Sequence, residues 1–309
     1  MVFLRFIPET TNVDFIKWRY VAFAIDGLLL LVAIVAIATR GFNLGIDFAG
    51  GVEIQARAPH AVDIGRVRAT LGSRGYNDVH VQNVGGGICN KPVGSCVRIV
   101  ARPKPGQPEN VTATLIKQKL GPSYQYLDTQ IIGAKVSGEL FLHGVYATIL
   151  AVFMISLYVA FRFEWQYGVG ALIATGHDVF VTAGLYSLFQ LDFSINSVAA
   201  LLLLAGYSIN DTVVVFDRIR ENRRKYKRME MRDMINLSTN QIATRTTLVS
   251  VATSLAILPL MILGGPALFD FSAAILFGIL VGTFSSTYVA AALLLYLPPI
   301  GGRAAEVPA

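Results

Sequence analysis

Apolar residues dominate six stretches of the chain, at about Tyr20–Thr39, Leu142–Phe161, Gly168–Phe189, Ile195–Phe216, Thr246–Leu263 and Phe271–Leu297. Each approaches or exceeds the roughly 20 residues an α-helix needs to cross a bilayer. The segment between the first two, residues 40–141, follows another rhythm. Gly51–Ala58, Val79–Val84 and Val97–Ala101 alternate apolar and polar positions or are rich in β-branched residues, as strands do. Val62–Gly75, marked by Val62, Val67 and Leu71, and Val111–Leu120 read as helices, and Tyr124–Val136 as a last extended segment. The order β-α-β-β-α-β is that of a ferredoxin-like split βαβ domain. The predicted class is therefore a polytopic α-helical membrane protein. It has six transmembrane helices, one extracytoplasmic α+β ferredoxin-like (βαββαβ) domain, an N-terminal segment 1–19 and a tail 298–309.

Composition agrees and adds an orientation. The 309 residues are 54% hydrophobic and 15% charged, against about 25% charged in soluble domains. Net charge is +6, and nine Lys and Arg fall between Arg218 and Arg245 against three acids. A basic cluster beside membrane spans sets orientation and touches anionic lipid rather than nucleic acid. With Lys17 and Arg19, Arg162 and the 218–245 loop all inside, the N-terminus is expected to be cytoplasmic and residues 40–141 to lie on the outer side. Ala36-Ile37-Ala38 has the form of a signal-peptidase site, but the apolar run before it is long, so the first span is read as uncleaved.

Candidate chemistry lies in the spans. Asp211 sits within the fourth, where an isolated charge is expensive, so it is expected to be protonated, paired or facing a watery cavity. Arg218, seven residues on, shares its helix face, and Asp217 does not; both also suit an interface flank. Ser208, Asn210 and Thr212 are the nearby groups able to satisfy Asp211 as a purely structural acid. His177 and Asp178 stand together in the third span, either as a proton relay or as a structural pair. Arg245, opening the fifth span, is placed to reach Asp211 or simply to anchor the helix. An aspartyl-protease dyad of Asp178 and Asp211 is a remote alternative, since the sequence has GHD and SIND rather than that class's motifs. The run Gly41–Gly51, with Gly45, Asp47, Gly50 and Gly51, reads as a tight turn into the first strand. Cys89 and Cys96 fall in one short loop of the outer segment, where an oxidising compartment permits a structural disulfide and free thiols are the alternative; the loop offers no histidine for a metal.

Three stretches together, GFNLGIDFAGG, GAKVSGEL (Gly133–Leu140) and AGYSINDTVVVFDRIREN (Ala205–Asn222), resemble the SecD/SecF family of protein-export membrane subunits, a branch of the proton-driven RND superfamily. HDV at His177–Val179 and TRT at Thr244–Thr246 also fit that pattern. The resemblance implies a bacterial inner-membrane subunit that works with SecD, the SecYEG translocon, YajC and YidC on a translocating polypeptide, at a late, ATP-independent stage. It implies proton transport through Asp211 and Arg245, with protons as the coupling ion, no other cofactor and no enzymatic activity. A stand-alone RND-type efflux transporter is the alternative, although such pumps carry two repeats and this chain has one.

Overall fold

The computed structural model describes residues 11–72, 79–84, 89, 94–103, 107–264 and 266–298. Among them, six helices are long and apolar enough to cross a membrane. These are α1 (Arg19–Arg40), α5 (Ala134–Arg162), α6 (Trp165–Phe189), α7 (Ile195–Lys225), α8 (Met231–Leu263) and α9 (Pro266–Phe284), which continues through a π-helical turn at Ser285–Ala290 into α10 (Ala291–Leu293). Helices α6, α7 and α9 form the centre of the bundle, while α1, α5 and α8 carry most of the exposed apolar side chains. Small residues let the helices close up. A Cβ on Gly184 of α6 would run into Ala33 of α1, and one on Gly278 of α9 would meet Leu204 of α7.

The basic loop expected at 218–245 is mostly helix. Helix α7 runs on to Lys225 and α8 begins at Met231, leaving a short connection. Polar side chains hold these extensions together: Asn222 Nδ2 donates to Ser238 Oγ at 2.9 Å and to Gln241 Oε1 at 2.8 Å, and Arg218 Nε donates to Gln241 Oε1 at 2.7 Å. Apolar periodicity cannot see such an extension, because its surface is charged. Residues before α1 are clamped to the same part of α8, with the Ile16 and Val13 backbone N–H groups donating to Asn236 and Asn240 at 3.0 and 2.8 Å.

The extramembrane domain holds β2 (Gly51–Arg57), α3 (Ile64–Gly72), β3 (Val79–Val84), β4 (Cys96–Ala101), α4 (Glu109–Leu120) and β5 (Gln125–Ile132). Its sheet order is β3-β4-β2-β5, with every neighbouring pair antiparallel. Strand alternation splits the faces: Val52, Ile54, Val97 and Ile99 pack on α3 and α4, while Glu53, Gln55 and Arg98 lie on the opposite face. Cys89 and Cys96 are bonded to each other. Because Cys96 already pairs with Arg57 and Val84 in the sheet, replacing both cysteines by serine should cost at most about 2 kcal/mol and leave function intact. Denaturant titration with and without reductant checks this.

The glycine run is more than a turn. It contains a short strand, β1 (Asn43–Leu44), which pairs in parallel with β6 (Asp192–Phe193), and one helical turn, α2 (Ile46–Ala49). Gly51 has φ +140°, and a Cβ there would lie 2.8 Å from the Ala101 carbonyl oxygen, so only glycine fits.

Candidate functional site

The buried polar groups of the bundle converge where α6, α7 and the π turn meet. Asp178 is wholly buried. Its Oδ2 accepts from Ser208 Oγ at 2.6 Å and Ser285 Oγ at 2.8 Å, and its Oδ1 lies 3.1 Å from His177 Nδ1. Beside it, Thr212 Oγ1 and Ser286 Oγ are 2.9 Å apart, and Ser286 Oγ donates to the Ser208 carbonyl at 3.4 Å. The wide π turn brings two consecutive serines, Ser285 and Ser286, onto this seam; such turns are frequent at functional sites. Gly282, one turn earlier, faces the same carboxylate: a Cβ there would stand 3.4 Å from Asp178 Oδ2, in ordinary van der Waals contact.

Asp211 is different. It is 3% exposed, and its Oδ2 is buried with no hydrogen-bond partner. The three groups able to satisfy it are engaged elsewhere: Ser208 serves Asp178, Thr212 pairs with Ser286, and Asn210 is exposed. The charge acting on Asp211 is that of Arg245 on α8, yet the two side chains form no ion pair within 4.0 Å. Arg245 is exposed and lines an open cleft of about 570 Å³ with Tyr158, Arg162, Asp217 and Arg218. Arg218 shares the helix face of Asp211 but is tied to Gln241 and Glu221 instead. The structure thus separates a satisfied acid, Asp178, from an unsatisfied one, Asp211. The two acids share no hydrogen bond, so the protease dyad lacks its defining contact.

Two features escaped sequence reading. Asp26 is a lone acid in the first span, visible to the same rule that singles out Asp211. The Ser285–Ser286 pair lies in a π turn that no periodicity announces.

Residues 112–298 match the family described as protein export membrane protein SecD/SecF, C-terminal, and residues 35–58 match the SecD/SecF GG motif. The chain belongs to the SecD/SecF family. It is 40% identical over 306 residues to the protein translocase subunit SecF of Cereibacter sphaeroides, covering 95% of this chain and 92% of that one. Against the SecF of Rickettsia typhi the identity is 36%, covering 94% of each. Among solved structures, SecDF from Thermus thermophilus, described as a translocon-associated membrane protein, aligns with a TM-score of 0.81 at 34% identity over 94% of this chain. SecDF in a super-membrane-facing form aligns with a TM-score of 0.63 over 93% of this chain. In both cases the chain spans 39% of the solved chain's length.

The segment matching the GG motif joins the extramembrane domain to the helix that carries Asp211. Gly45 N donates to the Phe193 carbonyl at 2.9 Å, and Asp47 Oδ2 accepts from Ile195 N, the first residue of α7, at 3.0 Å. A carboxylate at a helix N-terminus also meets the positive end of its dipole. Phe48 packs with Phe141 and Phe193 below the joint. A second tie comes from the sheet: Arg98 grips Glu53 through two 2.7 Å hydrogen bonds and reaches Asp192 Oδ2 at 3.4 Å. Asp192 N in turn donates to Asp270 Oδ2 at 2.9 Å. These groups border a cavity of about 170 Å³ between domain and bundle.

Burial, partly offset by Arg98, holds the Asp192 carboxyl above the usual carboxylate range. The closed joint therefore binds a proton more readily than an open one. Its contribution is present below about pH 4 and is lost as pH rises through the raised value. Asp192→Asn should weaken this dependence, leaving the part that comes from Asp270, the other carboxyl of the joint. Limited proteolysis of the extramembrane domain against pH should show the wild type becoming more susceptible on leaving the acid range, and the variant less steeply so.

Proposed function

We propose that the chain is a subunit of the Sec protein-export machinery that uses the proton-motive force. It works with a SecD-type subunit beside the SecYEG translocon and assists late, ATP-independent passage of secreted polypeptides. The basic ends of α7 and α8 face the cytoplasm against anionic lipid, and the extramembrane domain faces the periplasm of an inner-membrane protein. The observation that carries this reading is Asp211, buried with an unpartnered oxygen and one helix away from Arg245.

Neutral, Asp211 can remain as it is; ionised, it needs a cation at its side. A proton arriving or leaving therefore favours different positions of α8 relative to α7. Helix α7 carries that difference to its other end, where Asp47 and Gly45 tie it to the segment leading into the extramembrane domain. One charge moved through 100 mV is worth roughly 2.3 kcal/mol, more than a tenfold bias on a two-state bundle. That suits repeated small movements of a domain rather than one long pull. The larger part of the SecDF chains lies outside the match, which supports a second, SecD-type subunit completing the proton path.

Export of a secreted precursor, followed in cells depleted of this chain, tests the reading. Maturation should slow, and supplying the chain should restore it only while the proton gradient stands. Maturation at the normal rate without the chain would contradict the reading.

A further inference from the structure

Asp26 of α1 is a buried acid that the mechanism above does not use. It is 5% exposed, and neither carboxylate oxygen has a hydrogen-bond partner. Helix α1 packs on α6, and the groups acting on Asp26 from there are His177 and Asp178. The π turn that also packs on α1 carries no charge, and its one phenol, Tyr288, is stacked on Phe284.

Hydrogen bonding sets the proton inventory. His177 Nε2 lies 3.4 Å from the backbone carbonyl of Asp26, and His177 Nδ1 lies 3.1 Å from Asp178 Oδ1. A carbonyl only accepts, so Nε2 carries a hydrogen. The contact between Nδ1 and Oδ1 then needs one more proton, held either as Nδ1–H facing a carboxylate or as a carboxylic acid facing a bare nitrogen. In both forms the His177–Asp178 pair is neutral overall. Ser208 and Ser285 already supply two hydroxyl donors to Oδ2. Asp26 receives no donor and faces no net positive charge, so in this arrangement it keeps its own proton.

We propose that Asp26, His177 and Asp178 form a second proton-binding site of the membrane domain, distinct from Asp211, in which Asp26 holds the exchangeable proton. On release, the Asp26 O–H bond breaks and the proton leaves to water. His177 then turns its Nε2–H from the Asp26 carbonyl to the new carboxylate of the same residue, while the proton it shares with Asp178 stays between Nδ1 and Oδ1. Rebinding reverses these moves. Ser208 links the two sites: it bonds Asp178 and precedes Asp211 on α7 by three residues, about 4.5 Å of helix rise. Any part this site plays in export rests on the proposed function; its proton binding does not.

Infrared difference spectra of the full-length chain in lipid vesicles, recorded as pH is stepped, read carboxylic-acid intensity directly. Asp26→Asn should remove a titrating carboxyl band that persists in Asp211→Asn, and Asp26→Glu should restore it. His177→Gln, which removes the imidazole and the proton it shares with Asp178, should move that band's midpoint by about one pH unit or more. Carboxyl bands unchanged in Asp26→Asn would overturn the proposal. If that variant does not insert, an unmoved midpoint in His177→Gln overturns it equally. Unchanged bands in Asp26→Asn with export lost in Asp211→Asn would remove this site and leave the proposed function standing. Normal export in Asp211→Asn with the Asp26 band present would do the reverse.

Discussion

Asp211→Asn is expected to abolish the proton-dependent part of export while the chain remains folded and inserted. The amide has the size of the acid it replaces, and Asp211 Oδ2 has no hydrogen bond to lose. Its neighbours Ser208 and Thr212 are bonded elsewhere, so the exchange leaves no new orphan beside it. What disappears is the ability to take and release a proton. Stability should change by no more than about 1 kcal/mol, and precursor maturation should fall to the level of cells lacking the chain. Arg245 supplies the companion result. It is exposed and makes no ion pair with Asp211 in this state, so Arg245→Ala should barely alter stability. A severe export defect in that variant would then report coupling rather than folding. Arg245→Lys, which keeps the charge but not the planar fork, should be intermediate. Pulse-labelled maturation, beside protease protection of the inserted chain, separates these outcomes; a fully active Arg245→Ala would return that residue to simple anchoring.

Arg98→Ala should strongly destabilise the extramembrane domain, by about 3 kcal/mol or more. The guanidinium is 17% exposed and the Glu53 carboxylate 7%, so removing the cation leaves a buried anion that has lost both of its hydrogen bonds from Arg98. Asp192 loses its cation at the same time. Most of the cost is the stranded charge, not the lost pair, and a double variant shows this. Glu53→Gln placed on Arg98→Ala should recover a large share of the stability, because a neutral amide tolerates burial better than a carboxylate. Urea unfolding of the purified chain, read through its sheet signal, measures both. Equal destabilisation in the single and double variants would show that the Glu53 charge is not what Arg98 stabilises.

Much of this architecture is legible in the residues. The six spans follow from apolar length, and the strands of the extramembrane domain follow from alternation at positions such as Val52 and Ile54 against Glu53 and Gln55. Asp211 is conspicuous because hydrocarbon penalises it. What stayed hidden depends on partners distant in sequence. Nothing local says that Ser208 serves Asp178 on another helix rather than Asp211, three residues on along its own. The extension of α7 and α8 beyond the bilayer rests on Asn222, Ser238 and Gln241, polar residues that look like loop. The glycine run looked like a turn because the strand it pairs with, Asp192–Phe193, lies some 150 residues away. Nothing local in the strand says that Arg98 reaches Asp192, which lies 94 residues further along the chain.

The proposed function rests on Asp211 passing protons. Proteoliposomes containing this chain with its SecD-type partner, given a pH gradient and a membrane potential, allow proton flux to be followed with an internal pH dye. Wild type should carry a flux that Asp211→Asn lacks, at equal protein density and orientation. A flux that persists undiminished in Asp211→Asn would contradict it.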